Sequence, residues 1–107
     1  MSKNKYRAIP TVVDGIRFAS KAEAKHYGLL KYLEREGMIE NLELQPEYPV
    51  IVNGQRICLY KADFRYMQRT QHGLYQVIED VKGMRTPVYK LKKKLVEALY
   101  GITITEV

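Results

Sequence analysis

The sequence predicts one α/β domain of the α+β kind, with core elements in the order αβββαβ, and three observations carry that expectation. Two stretches repeat apolar residues at helical spacing between recognisable caps, the region between them alternates with a period near two, and turn pairs such as Asp14-Gly15 and Asn53-Gly54 punctuate the runs. At 107 residues the chain is long enough for a single core and too short for two. Hydrophobic residues make up 46% and charged residues 28%, spread through periodic segments, which is the balance of a folded domain rather than a disordered one.

Residues 1–18 read as a basic arm, Met1 to Arg7, followed by a hairpin with Val12 and Val13 on one limb, Asp14-Gly15 as the turn, and Ile16 and Phe18 on the other. Ser20-Lys21-Ala22-Glu23 has the Ser-x-x-Glu form of a capping box, opening a helix to about Glu36 that Gly37 stops. Tyr27, Leu30 and Leu33 form its apolar stripe. Leu42 to Val52 reads as a first strand with an edge or bend at Pro46, and Asn53-Gly54 turns the chain into a second strand from about Ile57 to Tyr66. After the polar turn Gln68 to Gly73, Leu74 to Lys82 forms a third strand, broken by Gly83 to Thr86. Pro87 suits the first turn of a helix running to about Tyr100, whose expected apolar stripe is Leu91, Leu95, Ala98 and Leu99 and whose exit is Gly101. Ile102 to Val107 reads as a last strand.

The formal net charge of +6 favours an acidic partner, and nucleic acid is the commonest for such a domain. The lone Cys58 excludes an intramolecular disulfide and, in an apolar run, reads as a buried small hydrophobe in a reducing compartment. Without the apolar run of a signal peptide or a stretch of membrane-spanning length, the expected location is the cytoplasm, with no membrane partner.

Acidic residues sit oddly in this pattern. Asp63 falls within Leu59-Tyr60-Lys61-Ala62-Asp63-Phe64-Arg65-Tyr66, otherwise a strand sequence, although Asp is depleted in strands. In Val77 to Lys82 a period of two places Ile78, Asp80 and Lys82 on one face and Val77, Glu79 and Val81 on the other. If the second and third strands pair as a meander, Asp63 approaches Asp80, and two clustered carboxylates need a cation or a proton between them. Hard oxygen ligands of this kind suit Mg²⁺, with Mn²⁺ as a substitute, the remaining positions being filled by water and phosphate. Phosphodiester hydrolysis follows, with the Lys82 ammonium positioning water or neutralising charge developing in the transition state.

Asp63 followed by Asp80-Val81-Lys82 on adjacent strands resembles the signature of PD-(D/E)XK nucleases, and the αβββαβ order resembles their restriction-endonuclease-like core, a central mixed sheet flanked by helices. More narrowly, residues 18–24 (Phe-Ala-Ser-Lys-Ala-Glu-Ala), Leu44-Gln45-Pro46, Tyr60-Lys61-Ala62-Asp63-Phe64 and Glu79-Asp80-Val81-Lys82-Gly83 are similar to a family of small phage-encoded endonucleases in that superfamily. The resemblance covers nearly the whole chain. It implies that Asp63 and Asp80 bind metal, that the backbone carbonyl of Val81 completes the coordination, that Lys82 is the catalytic lysine, and that Glu23 is a helix-borne acid of the site. It implies also that Gln45 reaches the same cleft and that the product carries a 5′-phosphate. Ala62 stands where the signature has proline, and Asp80 where glutamate is frequent; neither change removes a ligand.

Plainer roles compete. Glu23 is also the fourth residue of a capping box, and Asp63 with Lys82 would make a structural ion pair. Glu79, on the face opposite Asp80, is left out of the metal site and is expected to pair with Lys61 or Arg65. Arg85, Lys90, Lys92, Lys93 and Lys94 cluster where the second helix begins, against its macrodipole, which points to phosphate contact. Most of the nine tyrosines read as core, with Tyr66 and Tyr89 at the cleft rim, and His26 and His72 lack metal-ligand spacing. The leading expectation is an endodeoxyribonuclease for recombination, repair or genome processing, for which cutting both strands calls for a homodimer or sequential nicks. The alternatives are a non-catalytic DNA-binding module on the same scaffold and a phage assembly protein.

Overall fold

The polar pair Asp14-Gly15, both residues at positive φ, joins β1 (Thr11–Val13) to β2 (Ile16–Phe18) in the computed structural model, which describes residues 9–81 and 85–107. The basic arm expected at Met1 to Arg7 lies outside the described residues. The chain continues through α1 (Lys21–Arg35), β3 (Ile39–Leu44), β4 (Glu47–Val52), β5 (Gln55–Lys61), β6 (Phe64–Thr70), β7 (Gly73–Asp80), α2 (Pro87–Tyr100) and β8 (Ile104–Glu106). This is an α+β architecture with a mixed central sheet in the order β3-β6-β7-β8, antiparallel at the first two pairings and parallel between β7 and β8. Among the described residues, no helix is long and apolar enough to cross a membrane.

Both helices end as their caps dictate. The Ser20 hydroxyl accepts from Glu23 N at 3.1 Å, and Gly37 takes φ 75 past the end of α1. In α2 the Thr86 hydroxyl accepts from Tyr89 N at 3.0 Å, Pro87 opens the first turn and Gly101 closes the last at φ 66.

The two long strands expected at 42–52 and 57–66 are each broken and bent into a second sheet. Gln45-Pro46 separates β3 from β4, and Ala62-Asp63 separates β5 from β6, so β4 and β5 form a ribbon of their own. The two breaks lie side by side, because Gln45 N donates to Asp63 O at 3.0 Å and Ala62 N donates to Pro46 O at 3.1 Å. Pro46 has no N–H for the ladder and Gln45 adopts φ 51, so the kink sits where a regular pairing is chemically impossible. Asp63 is therefore a bend residue rather than the strand residue its neighbours suggest.

Alternation on β6 and β7 gives the sheet two apolar faces. Phe64, Tyr66 and Val77 join Phe18, Ala24, Tyr27, Leu30 and Ile39 under α1, while Ile78 joins Tyr48, Val50, Tyr60, Val96 and Ile104 under α2 and the ribbon. Burying each such side chain contributes about 1.5–3 kcal/mol. Of the stripe expected to seat α2, only Leu95 packs against the core. Leu91 is 61% and Leu99 48% exposed, whereas Val96 is wholly buried. The helix is instead rotated so that Tyr89, Lys93 and Val96, spaced four and three apart, face inward, and the reason is polar: Tyr89 and Lys93 both reach Glu106 on β8, at 3.0 and 3.2 Å.

Candidate active site

The kink sets the site. Where β6 leaves the ribbon, Asp63 comes opposite the end of β7, and the two aspartates lock reciprocally: Asp63 N donates to Asp80 Oδ1 at 3.0 Å, and Val81 N donates to Asp63 Oδ2 at 2.7 Å. The meander expected from sequence thus does bring Asp63 to Asp80. Their surroundings differ. Asp63 is half-buried, whereas Asp80 is fully buried.

Asp80 is received by tyrosines. The Tyr60 hydroxyl, from the last turns of the ribbon, donates to Asp80 Oδ2, and the Tyr89 hydroxyl lies 3.3 Å from the same oxygen and 3.0 Å from Glu106 Oε2. Burial, then the hydrogen bond and charge of Asp80, push the Tyr60 phenol far above its ordinary range, so it stays a donor at any physiological pH. Tyr89 is likewise pushed up by burial and by Asp80. Arg85 and Lys93 converge on Glu106; Arg85 above all, with Tyr89 and Lys93, holds its carboxyl down to about 2. Tyr89 is therefore not a rim residue but a bridge between Asp80 and this charged group.

One residue earlier in β7, Glu79 points to the opposite face. Its Oε1 lies 2.7 Å from His26 Nε2 of α1, and its Oε2 accepts from the Tyr66 hydroxyl at 2.8 Å. The expected partners are excluded: Lys61 pairs with Glu47 across the ribbon, and Arg65 takes Glu43 and the Tyr48 hydroxyl. Tyr66 is a buried donor with its phenol raised by burial and by Glu79, not a residue of the cleft rim. Sequence reasoning left His26 without a role because its partner lies 53 positions away.

Glu23 is buried at 8% on the inward face of α1, with Ala24, Tyr27 and Leu30, so the helix holds it on the Glu79 side of the sheet rather than beside the Asp80 carboxylate. Gln45 reaches the site through its backbone, by the bond to Asp63 O. Lys82 lies outside the described residues. Of the basic cluster, Arg85 and Lys93 are held by Glu106, Lys92 is half-buried, and Lys90 and Lys94 are exposed.

Among the described residues no group of three or more His, Cys, Asp or Glu side chains is close enough to hold a metal. The acids at the kink offer hard oxygens of the kind Mg²⁺ takes, and three of those four oxygens already accept from backbone or tyrosine donors. A groove of about 660 Å³ along β3, lined by Asn41, Glu43, Arg65 and Tyr66 among others, includes neither aspartate, so its size does not mark the chemistry.

A family described as protein of unknown function, DUF1064, matches residues 3–105. The chain belongs to the DUF1064 family. The match spans both helices and the central sheet as far as Thr105 in β8, so the aspartate pair lies inside the DUF1064 region. No curated protein and no solved structure matches this DUF1064 chain.

Proposed function

We propose that this DUF1064 chain is a metal-dependent endodeoxyribonuclease of the PD-(D/E)XK superfamily, similar to small phage-encoded endonucleases. The observation that carries the reading is the reciprocal lock of Asp63 and Asp80 at the kinked end of β6 and β7. The topology supports it. The two helices and the mixed sheet β3-β6-β7-β8, antiparallel at its first two pairings and parallel at the last, are compatible with the central mixed sheet and helices that the resemblance implies.

In this reading Asp63, Asp80 and the Val81 carbonyl would hold Mg²⁺ or Mn²⁺, Glu23 staying on the Glu79 side of the sheet. Such a cation, when bound, would supply Lewis-acid polarisation of a phosphodiester oxygen and lower the pKa of a water. The chain's own contribution is preorganisation. Tyr60 and the Asp63 amide fix both oxygens of Asp80 before substrate arrives, and the Val81 amide fixes Asp63. Lys82, following directly on Val81, supplies the positive charge at the scissile phosphate. Arg85, Lys90, Lys92 and Lys94 hold the flanking backbone, Lys90 and Lys94 being the most open to it.

A second reading, a DNA-binding module without catalysis, is favoured by one observation: Asp80 is 0% exposed and its oxygens already accept from tyrosine and backbone donors. Incubating supercoiled, linear and four-way-junction DNA with the protein in Mg²⁺, Mn²⁺ or EDTA separates the two. Metal-dependent cutting, lost in Asp80→Asn and Lys82→Ala, is expected; salt-sensitive DNA binding with no cutting under any metal would establish the module instead.

A further inference from the structure

The tip of the β4–β5 ribbon takes no part in either the core or the aspartate pair. Its base is anchored. Tyr48, Val50 and Tyr60 are buried, Tyr60 reaches Asp80, and Tyr100 donates to Pro49 O at 2.8 Å. Beyond that base all seven residues from Ile51 to Ile57 are exposed, with Ile51 at 50%, Val52 at 42% and Ile57 at 58%. A domain of this size gains nothing in stability by holding three large apolar side chains in water at a hairpin tip, and a flat polar tip would fold as well.

The tip is nevertheless built with definition. Asn53-Gly54, at φ 50 and 79, forms the tight turn whose twist matches the strands. The register passes from Val50↔Cys58 to Ile51↔Arg56, so Ile57 is bulged out, which tightens the twist and re-aims the side chains beyond it. Those side chains are Asn53, Gln55 and Arg56, the types that make bidentate contacts to adenine and guanine edges, flanked by apolar groups able to meet thymine methyls. From Tyr48 to Ala62 there is no acidic residue, in a chain of net charge +6. Arg56 is thus the charge at the tip, with no carboxylate from Tyr48 to Ala62 to offset it, and such a tip suits a polyanion.

We infer that the β4–β5 tip is a duplex-reading element that enters the major groove of DNA; the inference rests on the nuclease reading for its substrate. A two-stranded ribbon is one of the two elements the major groove, about 12 Å wide and 8.5 Å deep, admits. Three residues per limb at about 3.3 Å each give the free tip a reach of about 10 Å. β5 runs from the tip to its end at Lys61, two residues before Asp63, so one strand links a seated tip to the aspartates about 20 Å away. Single-stranded nucleic acid offers no such groove. The substrate class is therefore duplex DNA.

Two measurements in EDTA test this independently of cutting: affinity for a labelled 20-base-pair duplex against its single strand, and dimethyl sulfate footprinting, which reports guanine N7 in the major groove. Wild type is expected to prefer the duplex and to protect guanine N7. The double substitution Gln55→Ala with Arg56→Ala, both exposed, is expected to lose that protection and to weaken duplex binding roughly ten- to hundredfold, with single-strand affinity little changed. Equal wild-type affinity for duplex and single strand, or an unchanged footprint in the double variant, would overturn the inference. Metal-dependent cutting together with an unchanged footprint would overturn it alone, whereas the expected footprint with no cutting would leave it standing and remove the nuclease reading.

Discussion

Glu79 and Asp80 are neighbours in one strand, yet the sheet sends them to opposite faces and gives them different company. Glu79 meets a histidine and a tyrosine beneath α1, where His26 also stacks near Phe64. Asp80 meets the kink: the Asp63 amide, the ribbon's Tyr60 and the α2 tyrosine that leads on to Glu106. One carboxylate joins a helix to a sheet, whereas the other joins three elements at the point where strand pairing fails. Adjacent charge in a strand is therefore not one site but two, and position relative to the kink separates an acid that ties a helix to the sheet from one that ties three elements together.

The widest gap between the two faces is expected in stability. Asp80→Ala leaves the buried Tyr60 hydroxyl without its acceptor and takes one acceptor from the Asp63 amide, which still reaches Glu79 O, so a loss of about 3 kcal/mol is expected from buried groups worth roughly 1–3 kcal/mol each. Glu79→Ala leaves the buried Tyr66 hydroxyl without its acceptor and is expected to cost somewhat less, because the other partner, His26, has a side chain 18% exposed and water replaces part of what it loses. Urea midpoints of the two variants measure the difference, and equal losses would erase it.

The tyrosines test both faces together at alkaline pH. Tyr60 and Tyr66 have folded pKa values raised above the ordinary 10 by burial and by their carboxylates, so their stabilisation is intact below about pH 10 and falls as pH rises beyond it, where the unfolded chain releases protons first. Tyr60→Phe and Tyr66→Phe are each expected to flatten that decline, and by similar amounts, since both phenols stay protonated in the folded chain over this range. Thermal melts between pH 8 and 11 check this, and a decline unchanged in either variant would contradict it.

At acid pH the effect is smaller and confined to the α2 face. The Glu106 carboxyl, held at about 2 by Arg85 first, contributes stability that is present above its ordinary 4.5 and is lost as pH falls toward 2. Glu106→Gln is expected to remove that part of the acid limb, and added salt to shrink it, because the group lies near solvent. Smallest of all, Leu91→Ser is expected to change stability by no more than about 0.5 kcal/mol, since the side chain already lies in water. A loss of several kcal/mol there would mean that the leucine row, not Tyr89 and Val96, seats α2.

These outcomes also mark where sequence was and was not a guide. Helix ends and tight turns were legible because Ser20, Gly37, Pro87, Gly101 and the Asn53-Gly54 pair act locally, through a cap, a fixed φ or a permitted positive φ. The approach of Asp63 to Asp80 was legible from strand order alone. The kink was not, since alternation reads the same along a straight strand and a bent one, and only Pro46 hinted at the bend. The rotation of α2 was hidden because a row of leucines outweighs Tyr89 and Lys93 in any apolar count, although their demand for Glu106 decides the packing. Glu79's partner was out of reach for a different reason: nothing near it in the chain announces a histidine on α1.

The most direct test of the two-site account compares Asp80→Asn with Glu79→Gln, both near-isosteric, in cleavage of supercoiled DNA with Mg²⁺ after urea melts have shown both to be folded. The account predicts that cutting disappears in Asp80→Asn and persists in Glu79→Gln. Cutting that survives in Asp80→Asn and disappears in Glu79→Gln would contradict it and move the chemistry to the α1 face.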